Sequence, residues 1–423
     1  MNTLLIKSAN VAFPDSPYYN KEVDILVEKG KIVNIAPRIN IDSNKVSVFD
    51  AKGQYIAPGF FDLNVNFGEP GLETKEDILS GCAAAVAGGF TGVAVHPNTH
   101  PPVHSRSEVA LIVNRAKDLP VDVYPIGAVS KRRAGEELAE LYDMKLAGAI
   151  AFGDGNKSIL QAGLMSRALL YSKGIGGLVL SYPEDTSVVG GAKMNEGVMS
   201  TYLGMKGNPN LAEALMVARD LYLAEYNDAP IHFTTISTSE SVTLIRKAKA
   251  TGIKVTCDVA AHHLVLTDDL IAGFDSNYKM SPPLRTKIDV KALLKGLKDG
   301  TIDAIVSQHT PHEIEFKNVE YQIAADGIIG LQTVLPLALK AGLTVNQIVE
   351  KLAIGPRNVL GLPIPELREK TLANFILFDT EAKWYFDRQT NRSKSSNSPL
   401  MGTELKGKVT IVANKRQIIN TQI

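Results

Sequence analysis

The sequence predicts an α/β protein, a (β/α)8 TIM barrel with a small β-sandwich domain built from both chain ends. Three observations lead there. From Gly59 to His309, eight short apolar runs alternate with amphipathic helical patterns, as a closed parallel barrel requires. Residues before about 57 and after about 365 read instead as short strands separated by turn residues. The 423 residues suffice for one large core and a smaller one beside it.

Taken in order, Thr3–Ile6, Asp24–Glu28, Lys31–Ile35 and Val46–Asp50 are the first strands, and Lys29-Gly30 is a hairpin turn. The barrel strands are Phe60–Phe67, Thr91–Pro97, Val121–Val129, Ala147–Phe152, Gly177–Tyr182, Pro230–Ile236, Lys254–Ala260 and Asp303–His309. Helical periodicity falls on Lys75–Ala87, Glu136–Leu146, Leu211–Glu225, Glu240–Ala250 and Val290–Leu297. Strands return at Phe375–Asp379, Trp384–Phe386 and Lys408–Ala413, with a polar Ser- and Asn-rich connection from Asp387 to Ser398. The expected division is therefore 58–364 for the barrel, with 1–57 and 365–423 forming one composite β domain.

Acidic and basic residues balance at 45 each, so neither nucleic acid nor an anionic membrane is an expected partner. Two cysteines, Cys82 and Cys257, lie far apart inside apolar runs, which argues against a disulfide framework and fits a reducing cytoplasm. Met1–Lys7 reads as a strand too short for a signal peptide, and Gly88, Gly89 and Gly92 break the longest apolar region. No internal repeat and no heptad run is present.

In a barrel, chemistry sits at the C-terminal strand ends. The first strand offers Asn64 and Asn66 on one face, then Gly68-Glu69-Pro70-Gly71. The second ends in His96-Pro97-Asn98-Thr99, the fourth in Phe152-Gly153-Asp154-Gly155, and the fifth in Ser181-Tyr182-Pro183-Glu184-Asp185. The sixth runs His232-Phe233-Thr234-Thr235-Ile236-Ser237-Thr238, and the eighth ends Gln308-His309-Thr310-Pro311-His312. Between them lie Ala261-His262-His263-Leu264, Lys279-Met280-Ser281-Pro282-Pro283-Leu284-Arg285, and the Ala324, Gly327, Gly330 pattern that follows Phe316.

Together these stretches resemble the dihydroorotase family of the amidohydrolase superfamily along nearly the whole chain. The resemblance implies a zinc centre built from His-x-His on strand one, an Asp on strand four, a His on five, a His on six, and an Asp on eight that is also the general base. At those positions this chain has Asn64, Asn66, Asp154, Tyr182, Thr235 and Gln308, the Asp154 segment being one residue shorter than the family's Asp-Asp-Gly. Zinc needs imidazole, thiolate or carboxylate donors to yield hydroxide near neutrality, and an amide is neither a strong ligand nor a base. Gly68 stands where the family has the Arg that grips the substrate carboxylate. Asn98, Ser281 and His309 match substrate-contacting positions.

Other histidines have plainer readings. His96, His100 and His104 sit among prolines, which rule out helical chelation and leave solvated turn residues. His232, His262 and His263 read as structural, His312 as packing at the barrel mouth, and Glu184 and Asp185 as a cap or an Arg partner. The expectation is a non-catalytic dihydroorotase homologue that binds no metal or other cofactor, forms a homo-oligomer and partners aspartate transcarbamoylase. The alternatives are an active divergent dihydroorotase or related cyclic amidohydrolase, a small-molecule sensor, and a cytoskeletal scaffold.

Overall fold

The computed structural model describes residues 3–41 and 46–421; Met1 and Asn2 of the first predicted strand lie outside the described residues. The chain starts with β1 (Thr3–Val11), β2 (Glu22–Glu28), β3 (Lys31–Ala36), β4 (Ser47–Asp50) and β5 (Tyr55–Ala57). The barrel follows as β6 (Phe60–Val65), β7 (Phe90–Val95), β8 (Asp122–Gly127), β9 (Ala151–Phe152) and β10 (Val179–Ser181). A small parallel pair, β11 (Met194–Asn195) and β12 (Gly207–Asn208), precedes the last barrel strands β13 (Ile231–Phe233), β14 (Val255–Ala260) and β15 (Ala304–Val306). The chain ends with β16 (Phe375–Phe386), β17 (Thr403–Asn414) and β18 (Gln417–Asn420).

Eight strands, β6 to β10 and β13 to β15, pair in parallel in chain order. The ring closes where Val65 bridges His309 and the Asn66 N–H donates to the His309 carbonyl at 2.9 Å. Inside, Phe61, Leu63, Ala94, Ile126, Leu180, Ala260 and Val306 form one apolar plug, so the barrel is a packed core rather than a pore. The fold class is thus the predicted one.

Strands from both chain ends form one sheet in the order β18-β17-β16-β5-β1-β2-β3, with β4 also paired to β1. Ile6, Val11, Ile25, Ile35, Phe375, Leu377 and Ile411 share one core, so the sheet buries a face against itself. Phe375–Asp379 and Trp384–Phe386 turn out to be a single strand interrupted between Asp379 and Lys383.

Helix boundaries follow their caps. The helix predicted from Lys75 begins at Ile78, because Asp77 Oδ1 accepts the Ser80 N–H at 2.8 Å. That predicted from Glu136 begins only at Leu141, since Ser130 bridges Leu138 and closes the preceding stretch into a loop. Two helices that the periodicity did not single out, Arg106–Arg115 and Ala162–Gly174, also belong to the outer ring, and Val334–Lys340 follows the last barrel strand.

The polar connection before β17 is buried in part: Ser395, Asn397 and Ser398 are buried, while Arg388, Gln389, Arg392, Lys394 and Ser396 are exposed. Asn397 Nδ2 donates to the carbonyls of Thr310 (3.0 Å) and Gly327 (3.1 Å), and its Oδ1 accepts the His312 N–H at 3.0 Å. Ser395 Oγ donates to the Lys75 carbonyl at 2.8 Å, and Ser393 bonds the Glu76 carboxylate. A polar run can be buried when every group finds a partner, and this one ties the C-terminal segment to the barrel's upper rim. Asn397→Ala leaves the Thr310 carbonyl and the His312 N–H without this partner, while Lys317 still serves the Gly327 carbonyl, so it should lower unfolding free energy by about 2 kcal/mol, read as a shift in urea midpoint.

Candidate functional site

The barrel mouth encloses an open cavity of about 180 Å³. Strand β6 carries two of its wall residues because its alternation is broken. Phe61 and Leu63 face the core plug, and an irregularity in the pairing with β7 between Asp62 and Val65 lets Asn64 and Asn66 line the cavity. Asp62 supports the irregularity: it accepts the N–H groups of Asn64 at 2.9 Å and of Ser307 at 3.0 Å, joining β6 to β15. Burial pushes its carboxyl up to about 7, against the pull of those hydrogen bonds.

The amide nitrogens of both asparagines are engaged. Asn64 Nδ2 donates to the hydroxyls of Thr234 (3.2 Å) and Thr235 (3.0 Å). Asn66 Nδ2 donates to the His309 carbonyl (3.1 Å) and to Thr310 Oγ1 (3.0 Å), while its Oδ1 accepts from Asn98 Nδ2 at 2.7 Å. Tyr182 Oη pairs with Ser281 Oγ at 2.7 Å, and Gln308 Nε2 donates to the Ser281 carbonyl at 2.7 Å. Burial holds the Tyr182 phenol well above its ordinary pKa, so it stays protonated.

Of the nine site residues read from the sequence, six line the cavity together: Asn64, Asn66, Asn98, Tyr182, Ser281 and Gln308. The other three lie behind it. Asp154 is bonded to the backbone N–H of Ser130 at 3.0 Å and to that residue's hydroxyl, so its carboxylate serves the β8 end, while Gly155 and Asn156 reach the cavity. Thr235 sits one step below, where its hydroxyl accepts from Asn64. His309 turns outward: Nε2 lies 3.3 Å from Glu76, and Nδ1 accepts the Gly330 N–H at 3.2 Å.

Thr235 and Gln308 both hold left-handed backbone, with φ of 57° and 51°. Such a conformation costs about 1–3 kcal/mol per residue and persists only where the surroundings impose it. Thr235 is pinned by its N–H bonding Asp258 Oδ1 at 2.6 Å; that same Asp258 meets His232 at 3.0 Å.

His96 corrects the sequence reading. It is no solvated turn residue but a buried wall residue, 4 % exposed. Its loop partners His100 and His104 stay outside the cavity lining. Glu184 and Asp326 are wall residues that strand-end motifs alone did not identify as such; Glu184 accepts from Asn208 Nδ2 at 3.2 Å, and Asp185 caps the next short helix. The Phe316–Gly330 pattern, which includes Asp326, was the available signal. Arg285 is structural, donating to Ser237 Oγ, Asn195 Oδ1 and the Asn208 carbonyl at 2.8–3.0 Å.

A family model described as Dihydro-orotase-like matches residues 53–241. The dihydroorotase of Geotalea daltonii is 43% identical over 409 residues, 96% of each chain, and that of Acetivibrio thermocellus is 44% identical over 412 residues, again 96% of each. The chain belongs to the dihydroorotase family. Among solved structures, the L-hydantoinase of Arthrobacter aurescens superposes with a TM-score of 0.84 at 22% identity, covering 99% of this chain and 96% of that one. The dihydropyrimidinase of Brevibacillus agri gives 0.82 at 19%, covering 99% and 95%. Both likenesses speak to the fold.

The zinc centre implied by the dihydroorotase family does not fit the donors at this mouth. Two amides, a protonated phenol, a hydroxyl and a third amide stand at five of the six positions to which the resemblance assigns ligands, and the one carboxylate is bonded to Ser130. Among the described residues, no three His, Cys, Asp or Glu side chains converge to hold a metal ion. Gly68, where the resemblance expects the family's Arg, is itself fixed by the local backbone. With φ of 68°, a Cβ there would stand 2.6 Å from the carbonyl oxygens of Glu76 and Leu72, so an arginine needs a different local backbone.

The buried histidines predict an acid response. Burial lowers His96, His263 and His312 to about 4, so all three are neutral in the folded protein. The unfolded chain takes up protons near 6.5, hence the stability each contributes is full above that pH and is lost as pH falls toward 4. Asp62 acts in the opposite sense across the same range. Replacing one histidine isolates its share: relative to His96→Phe, the wild type should lose about 2 kcal/mol between pH 7 and pH 5, measured by urea unfolding at each pH.

Proposed function

We propose that this chain is a dihydroorotase homologue of pyrimidine biosynthesis that performs no zinc-assisted hydrolysis and serves as a structural or regulatory partner of aspartate transcarbamoylase. One observation carries the reading. The side chains at the family's ligand positions on strands one, five, six and eight bond to one another or to the backbone, as in Asn66–Asn98, Tyr182–Ser281 and Asn64–Thr235. Their N–H and hydroxyl donors are spent on holding the mouth in shape. The clamp position is glycine, and no Arg or Lys lines the cavity among the described residues. An anionic substrate such as dihydroorotate or carbamoyl aspartate would meet Glu184 and Asp326 there instead.

An apolar stripe supports an assembly role. On the helix Asn210–Asn227, Leu211, Leu215, Tyr222 and Tyr226 fall within one face and are 44–85 % exposed. Exposed apolar stripes with tyrosines are typical of contact surfaces, and we assign this one to self-association of the chain.

The name shared by the relatives favours a second reading, an active dihydroorotase that opens the cyclic amide of dihydroorotate or forms it from carbamoyl aspartate. That reading requires a metal to activate water, and among the described residues no three His, Cys, Asp or Glu side chains converge to hold one.

Size-exclusion chromatography with light scattering tests the proposal, using the chain alone and mixed with aspartate transcarbamoylase from the same organism. The expected result is a homo-oligomer that Tyr222→Lys/Tyr226→Lys converts to smaller species, together with co-elution and an altered rate of carbamoyl transfer. Separate elution with an unchanged rate would overturn the partnership.

A further inference from the structure

The polar atoms around the mouth cavity are unevenly committed. The amide nitrogens of Asn64, Asn66, Asn98 and Gln308 already donate within the protein. Several acceptors are left over. His96 donates to the Leu63 backbone carbonyl, and its Nε2 finds no partner among the described residues. Because burial keeps this ring neutral at physiological pH, Nε2 offers a lone pair. The Oδ1 of Asn98 is likewise buried and unpartnered. Two carboxylates complete the wall: Glu184, partly buried, and Asp326, at the exposed outer edge.

Cations nearby are occupied elsewhere: Arg133, whose charge acts on His96, donates to the Asp154 carbonyl at 2.9 Å and to Asn156 Oδ1 at 2.6 Å. Lys279 Nζ donates to the Gln322 and Ala324 carbonyls, and Lys317 Nζ to those of Lys279, Ala325 and Gly327 at 3.0–3.2 Å. Arg285 is consumed by Asn195, Asn208 and Ser237. Lys193 is exposed and belongs to the wall of an adjoining hollow that shares Glu184, Met280, Ser281 and Asp326. A ligand entering the mouth therefore meets negative charge with no Arg or Lys among the described residues of the cavity wall, and the unpartnered His96 and Asn98 acceptors lie just behind that wall.

Leaving buried acceptors unpaired costs free energy that a donor-rich ligand would recover. We infer that the barrel mouth is a binding site for a compact organic cation rich in N–H groups, of the guanidinium or amidinium type. A planar cation presents several donors in a fixed fork, which suits a carboxylate at one side and isolated nitrogen and oxygen acceptors at the other. A cavity of about 180 Å³ admits the head group and a short stem. This inference goes beyond the partner reading and stands or falls separately from it.

Isothermal titration calorimetry of the full chain tests it, with methylguanidinium chloride as probe and succinate as the anionic control at matched ionic strength. His96→Phe removes the ring acceptor at nearly constant shape, and Asp326→Asn removes an exposed charge without touching the core. Saturable binding of methylguanidinium, weakened about tenfold in each variant, is the expected result. Circular dichroism on the same samples establishes that both variants are folded. No saturable binding, an affinity unchanged in either variant, or tighter binding of succinate would overturn the inference.

Discussion

The seam between β6 and β15 is the constraint on which the mouth depends. A closed barrel must join its first and last strands, and here the joint is made by a buried carboxylate accepting N–H groups from both. Asp62 holds the Asn64 and Ser307 N–H groups, and one step further the Asn66 N–H reaches the His309 carbonyl. The local irregularity of β6 follows from this joint, and it brings Asn64 and Asn66 to the cavity together. Without it, strict alternation after Phe61 and Leu63 would send both amides behind the barrel wall.

Around that seam, neutral hydrogen bonds perform the cross-strand bracing. Asn64 links strand one to the end of strand six, Asn66 links it to strands two and eight, and Tyr182 links strand five to the loop at Ser281. Such bonds contribute about 1 kcal/mol each, yet removing one partner in a buried setting costs more because the other is stranded. The mouth is therefore a cooperative lattice whose members constrain one another. Glu76 and His309 extend it outward: burial raises the carboxyl, but hydrogen bonds from His309 and Ser393 outweigh that and hold Glu76 below its ordinary value. The C-terminal segment thus completes the support of a site that lies on the barrel.

Much of this architecture was legible in the sequence because barrel strands are apolar runs of recognisable length. The shortest strand, β9, keeps only Ala151 and Phe152 in the ladder, and its predicted start lies instead at the end of a helix and a Gly148 turn. Strand-end motifs located six of the nine expected wall residues. They missed that Asp154, Thr235 and His309 face other partners, since orientation at a strand end depends on tertiary contacts such as Ser130 and Glu76. His96 was misread because prolines around it signal a loop, and a loop residue is buried only if the fold covers it. The burial of Ser395 and Asn397 in the Ser- and Asn-rich connection was not legible for the same reason, since their partners lie 70 to 320 residues distant in the chain and leave no local signal.

The central claim is that this mouth, built from amides and hydroxyls, supports no zinc-assisted hydrolysis. Its most direct test is elemental analysis of chain purified without chelator and offered zinc, alongside a dihydroorotate hydrolysis assay on the same sample. The account predicts essentially no bound zinc and no turnover. About one or two zinc ions per chain together with turnover would contradict it, because a zinc-bound hydroxide would then be present at the mouth.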